Sequence, residues 1–120
     1  MRQRLESARA AALFDTYGAC LTTHQQEAYR LVYDEDWSLS EVAALLGVSR
    51  AAAGDLVARA TRQLLRLETA LGMVAMRNER AHLLRALVRE IGRAEPAAVR
   101  AELVKTVQAL AALEGLEPDV

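Results

Sequence analysis

The run Ser38-Leu39-Ser40-Glu41-Val42-Ala43-Ala44-Leu45-Leu46-Gly47-Val48-Ser49-Arg50 restricts this chain more than any other stretch. It admits a short helix, a tight turn and the start of a second helix, the pattern of a helix-turn-helix. Ser38 and Glu41 have the spacing of a capping box, in which the hydroxyl accepts from a free backbone N–H and the carboxylate reaches back to the cap residue. Val42, Leu45 and Leu46 recur at helical spacing and are expected to face inward, with Ala43 as the small side chain where two helices cross closely. Gly47 suits the left-handed conformation just past a helix end. Val48 then plugs the turn, and Ser49 caps the following helix.

Composition bounds the rest of the molecule. The chain has 120 residues, of which 52% are hydrophobic but only 4% aromatic, so it must fill a modest core with Leu, Val and Ala. No run approaches a membrane span, and Met1-Arg2-Gln3-Arg4 leads into mixed charge, so a cytoplasmic protein is expected. Cys20 has no partner for an internal disulfide and reads as a small core residue. With only His24 and His82 beside it, no metal set is expected, and no cofactor. Enzymatic activity is not expected either. A Gly-rich phosphate loop and a nucleophile-histidine grouping are both missing, and Asp34-Glu35-Asp36 reads as a solvated helix end.

Charge is unevenly placed although its net value is −1. Between Thr23 and Val48, Glu27, Asp34, Glu35, Asp36 and Glu41 oppose Arg30 alone; between Ser49 and Arg66, Arg50, Arg59, Arg62 and Arg66 oppose Asp55 alone. The basic side is therefore the second helix of the motif, as a phosphate-facing element requires, although a solvated helix surface would carry the same residues.

The periodicity predicts an all-α fold. A first helix is expected from Gln3 to Tyr17, with Leu5, Ala8, Ala12, Leu13 and Phe14 inward. Either Thr22 or Thr23 starts the next, through Gln25 or Gln26, and it extends to about Asp34. Trp37 lies in the following link and reads as a core lid beneath the helix-turn-helix rather than a base-stacking residue. A long helix from Arg50 meets no stop before Gly72, and helical patterns return over Val74 to Ile91 and over Pro96 to Leu113, with Pro96 at a first helical position. On the long helix, Val57, Ala60, Leu64, Leu67, Leu71 and Val74 fall within an arc of roughly 100°, with Arg59, Arg62 and Arg66 opposite. Two more apolar stripes, Leu83 to Ile91 and Val99 to Leu113, could cover that seam or pair with a second copy. The domain reading is thus a helix-turn-helix domain over 1–72 and a C-terminal helical dimerisation or packing segment over 73–120.

Base readout needs hydrogen-bonding side chains early in the second helix of the motif. Here Arg50 is followed by Ala51, Ala52, Ala53, Gly54 and Asp55. Three alanines and a glycine read no base edge, and Asp55 suits pairing with Arg59 better than a phosphate. Ser49, Arg50, Arg59 and Arg62 can hold a nucleic-acid backbone while specifying little sequence.

The segments Leu13-Phe14-Asp15-Thr16-Tyr17, Leu21-Thr22-Thr23-His24-Gln25, Leu31 to Ala43 and Val48-Ser49-Arg50 together resemble the YlxM family of small bacterial proteins, over roughly Leu13 to Leu71. That family is similar, in its helix-turn-helix, to the C-terminal DNA-reading region of sigma factors. The resemblance implies an all-helical homodimer without catalytic residues, and a regulatory or accessory role in the signal recognition particle pathway. The partner would be the particle's RNA or GTPase, met through Arg59, Arg62 and Arg66; the alternative is a sigma-like regulator that uses Ser49, Arg50 and Arg59 on DNA with weak sequence preference. Where the family carries Gln-Ala-Val-Tyr after the Ser-Arg pair, this chain has Ala51, Ala52, Ala53 and Gly54, which removes an amide and an aromatic from the region that would meet a ligand.

Overall fold

A computed structural model of the chain describes residues 6–93 and 95–115. The elements are α1 (Ser7–Tyr17), a single 3-10 turn (Gly18–Cys20), α2 (Thr23–Tyr33), α3 (Leu39–Leu46), α4 (Arg50–Leu71), α5 (Met73–Ile91) and α6 (Ala97–Leu113). Among the described residues there is no strand, and the fold is all-α as the periodicity predicts. Two compact units divide the chain, one up to Val74 and one from Ala75. The expected start of the first helix at Gln3 lies outside the described residues.

Local side-chain chemistry sets the ends of these helices. Thr22 Oγ1 accepts from the Gln25 N–H at 3.2 Å and Gln25 Oε1 accepts from the Thr22 N–H at 3.1 Å, so Thr22 and not Thr23 caps α2. Gln26 is committed elsewhere, since its Nε2 donates to the carbonyls of Gly18 and Leu21 and ties down the turn between α1 and α2. The Ser38–Glu41 capping box forms with both bonds at 3.1 Å. Gly47 takes φ 68°, a left-handed conformation costly for a residue with a Cβ, and the Val48 N–H returns to the Ala43 carbonyl at 3.0 Å. Ser49 Oγ then accepts from the Ala52 N–H at 3.0 Å and starts α4. Pro96 caps α6 from outside rather than occupying its first turn, because its ψ of 164° is extended.

Two contiguous cores hold the first unit. In one, Ala10, Leu13, Tyr17, Leu21 and Tyr29 close on Ala60 and Leu64 of α4, with Phe14, Tyr33, Leu67 and Val74 packed around them. In the other, Ala28, Leu31 and Val32 of α2 meet Val42 and Ala43 of α3 and Ala53 of α4, with Trp37, Val48 and Val57 at the margin. Trp37 is thus the half-buried lid its position implied. The seam of α4 from Val57 to Leu67 is covered by α1, α2 and α3, which removes the need for the C-terminal stripes to cover that stretch. Leu71, at the end of the seam, is 55% exposed.

Three inward assignments are corrected. Leu45 is 53% exposed, because at about 100° per residue it stands far from the side shared by Val42, Ala43 and Leu46. Ala8 is exposed, and Ala10 takes its place in line with Leu13 and Tyr17. Cys20 is exposed as well, since the 3-10 turn hands the core position to Leu21.

A polar clamp closes the end of α4. The Tyr17 hydroxyl donates to Glu68 Oε1 at 2.6 Å and accepts from the Met73 N–H at 3.0 Å, while the Val74 N–H donates to the same Glu68 oxygen at 3.0 Å. A carboxylate and a phenol thereby satisfy two of the free N–H groups that open α5. Burial and the neighbouring Glu68 both raise the Tyr17 pKa, so the phenol remains a donor.

In the second unit, α5 and α6 form an antiparallel hairpin. Arg80 pairs with Glu114 at 2.7 Å and Arg77 donates to the Gly115 carbonyl, both near the start of α5 and past the end of α6. At the other end Arg100 donates to the Gly92 carbonyl.

Candidate nucleic-acid interface

The long α4 carries every basic residue singled out in the sequence, yet it does not gather them into one site. Arg50 and the capping Ser49 are exposed at the first turn of α4. Arg62 lies about 18 Å further along the axis at 1.5 Å per residue and about a third of a turn round the helix. Two surfaces result: the N-terminus of α4, and a mid-helix cleft.

The mid-helix cleft is the more developed of the two. It has a volume of about 360 Å³ and is lined by Arg59, Arg62 and Arg66, together with Gln63, Cys20 and Gln25. Three guanidinium groups one helical turn apart thus share one concavity whose wall is completed by the α1–α2 turn. Arginine suits such a surface because its planar fork meets phosphate oxygens in pairs. Arg66 Nη1 donates to Gln63 Oε1 at 3.1 Å, which orders its head group over the cleft. Arg59 Nε pairs with Asp55 at 2.8 Å, the acid–base order expected along one helix face. Both partners are more than half exposed, so the pair contributes less than about 1 kcal/mol and Arg59 is available to an anion.

Cys20, Gln25 and Gln63 were missed as cleft residues. Along the chain Gln25 reads only as a capping residue, which it also is, and Cys20 as core. Their approach to α4 follows from how α2 packs across it, which no local pattern along the chain encodes.

The helix-turn-helix surface itself is plain. Ala53 is fully buried against α2 and α3, so it serves packing rather than recognition. Gly54 faces Leu39, and a methyl group added there would meet its Cδ1 at 3.5 Å, an ordinary contact. What remains outward in the first turn is Ser49, Arg50 and Ala51. Among the described residues no three His, Cys, Asp or Glu side chains stand close enough to hold a metal, and no helix is long and apolar enough to cross a membrane.

Comparison with known proteins agrees with this architecture. Residues 4–107 match the model of the UPF0122 family, described as "Putative helix-turn-helix protein, YlxM / p13 like". A UPF0122 protein of Symbiobacterium thermophilum is 44% identical over 95 residues, which span 79% of this chain and 89% of that protein. Another, from Clostridium botulinum, is 39% identical over 82 residues, 67% of this chain and 72% of the relative. Sequence motifs, helix order and the Gly47 turn converge, and the chain belongs to the UPF0122 family of YlxM/p13-like helix-turn-helix proteins.

Proposed function

We propose that this chain is a non-enzymatic regulatory or accessory protein of the bacterial cytoplasm that holds a nucleic-acid backbone against the Arg59–Arg62–Arg66 cleft of α4. The observation that carries the reading is the cleft itself, where three arginines of one helix line a single concavity with Gln25 and Gln63 at its edge. Its ligand is a phosphate backbone more than a base sequence, because the residues that would read bases are Ala51, Ala52, Ala53 and Gly54. The resemblance to the YlxM family supports the signal recognition particle as the setting, with its RNA as the phosphate partner and its GTPase as the protein one.

A homodimer completes the proposal. Along the α5–α6 hairpin Leu83, Leu87, Leu103 and Leu110 are exposed, an apolar surface that a second copy would bury. Fluorescence anisotropy with labelled particle RNA and with the particle's GTPase, both at low salt, tests the setting. Binding of the RNA, lost on Arg62→Ala/Arg66→Ala substitution, is the expected result. Failure to bind either component removes the pathway assignment.

A second reading, a sigma-like regulator on DNA, is favoured by the capped and exposed first turn of α4 with Ser49 and Arg50. Selection from random duplexes separates the two: an enriched sequence, abolished by Arg50→Ala, supports DNA reading, and the absence of any enriched sequence removes it.

A further inference from the structure

On α1 and α2 lies a second concavity whose chemistry is the reverse of the arginine cleft. Phe14, Tyr29 and Tyr33 line it together with Asp15, Asp34 and Arg30. The Phe14 and Tyr29 rings stack with centroids 5.5 Å apart, and Tyr33 leans on Tyr29 at 4.6 Å. Tyr29 is fully buried, its hydroxyl donating to the Ala10 carbonyl at 3.0 Å, and burial raises its pKa, so this ring is a fixed, neutral floor. Phe14 and Tyr33 are half-buried and supply aromatic surface at the sides. Arg30 is turned to Glu35 at 3.4 Å, which leaves the two aspartates without an ion-pair partner among the described residues.

We propose that this cleft receives one arginine side chain from a basic segment of a protein partner. Its volume is about 250 Å³, below the roughly 300–1,000 Å³ of pockets that enclose whole small ligands and suited to a single long side chain. A guanidinium lies flat against aromatic rings and forks to carboxylates at the same time, whereas an ammonium is a compact, strongly hydrated point charge. The acidic run Asp34-Glu35-Asp36 at the end of α2 extends the negative field beside the cleft, which suits further basic residues flanking the inserted arginine. The exposed Asp15 and Asp34 carboxylates disfavour phosphate here, and the face stands on residues that take no part in the arginine cleft.

The test uses the full chain and three fluorescein-labelled hexapeptides, identical except for arginine, lysine or citrulline at one position. Fluorescence anisotropy is expected to rank arginine tightest, about tenfold over lysine, with citrulline weaker still. Nitrogen-15 shift changes should concentrate at residues 14–15 and 29–34. Asp15→Asn/Asp34→Asn should weaken the arginine peptide by about tenfold, and Tyr33→Leu, which keeps the charge, should erase the preference for arginine over lysine. Thermal melts of both variants establish that they are folded. Equal binding of the arginine and lysine peptides, retention of binding by the double variant, or no binding of the arginine peptide would each overturn the proposal. Binding of labelled RNA at the same residues would overturn it too.

Discussion

Single residues decide how the first unit closes. Tyr17 is buried at 3% exposure and joins α1 to the α4–α5 junction through Glu68 and Met73. Tyr17→Phe leaves the Glu68 carboxylate and the Met73 N–H without this partner, and the expected loss is about 1–3 kcal/mol in urea unfolding. Gly54 has the opposite prognosis. It lies inside α4 at ordinary contact distance from Leu39, so Gly54→Ala should raise stability by about 0.5–1 kcal/mol, read as a higher urea midpoint. Alkali provides a third check, since the Tyr29 pKa is raised chiefly by burial. Below pH about 10 both folded and unfolded chains keep the phenol neutral; above it the unfolded chain ionises while the folded one does not. Stability should therefore fall as pH rises beyond about 10, and Tyr29→Phe should flatten that fall.

At the scale of elements, what could be read from the chain was what local chemistry settles. The Ser38–Glu41 box, the left-handed Gly47 and the Ser49 cap each act within a few residues, and each forms as the spacing implies. Removing one cap, as in Ser38→Ala, should cost about 1 kcal/mol and speed amide exchange in the first turn of α3. What could not be read depends on packing between elements. The spacing marks the α4 seam as a helix–helix surface; α1, α2 and α3 cover its Val57–Leu67 stretch while Leu71 is exposed, and no periodicity states which helix does the covering. The helical spacing places Leu45 inward with Val42 and Leu46, but its angle on α3 sets it well away from the side that Val42, Ala43 and Leu46 share, and it is exposed. Arg59, Arg62 and Arg66 were legible as one face, whereas their approach to Gln25 and Cys20 arises only when the α1–α2 turn folds over α4. The Asp55–Arg59 pair follows from sequence spacing alone and holds one arginine in part. Asp55→Asn should release it and tighten polyanion binding a few-fold at low salt, an effect that added salt should erase.

On the scale of the whole molecule, the net charge of −1 conceals opposed surfaces, an arginine cleft on α4 and a carboxylate-rimmed aromatic cleft on α1 and α2. On the proposed assignments, a polyanion and a basic partner would use separate residues and would not compete. The proposed homodimer is tested at this scale as well. Light scattering at micromolar concentration should return twice the chain mass of 13.1 kDa, and Leu103→Glu should return the single mass. The most direct measurement, however, is the salt dependence of binding to labelled RNA, compared between the native chain and the Arg59→Ala/Arg62→Ala/Arg66→Ala variant. Each phosphate contact contributes about 0.7–0.9 to the slope of log affinity against log salt, so loss of the three arginines should reduce that slope by about 2 to 3. An unchanged slope, or no binding by the native chain at low salt, would contradict the assignment of the α4 cleft to a phosphate backbone.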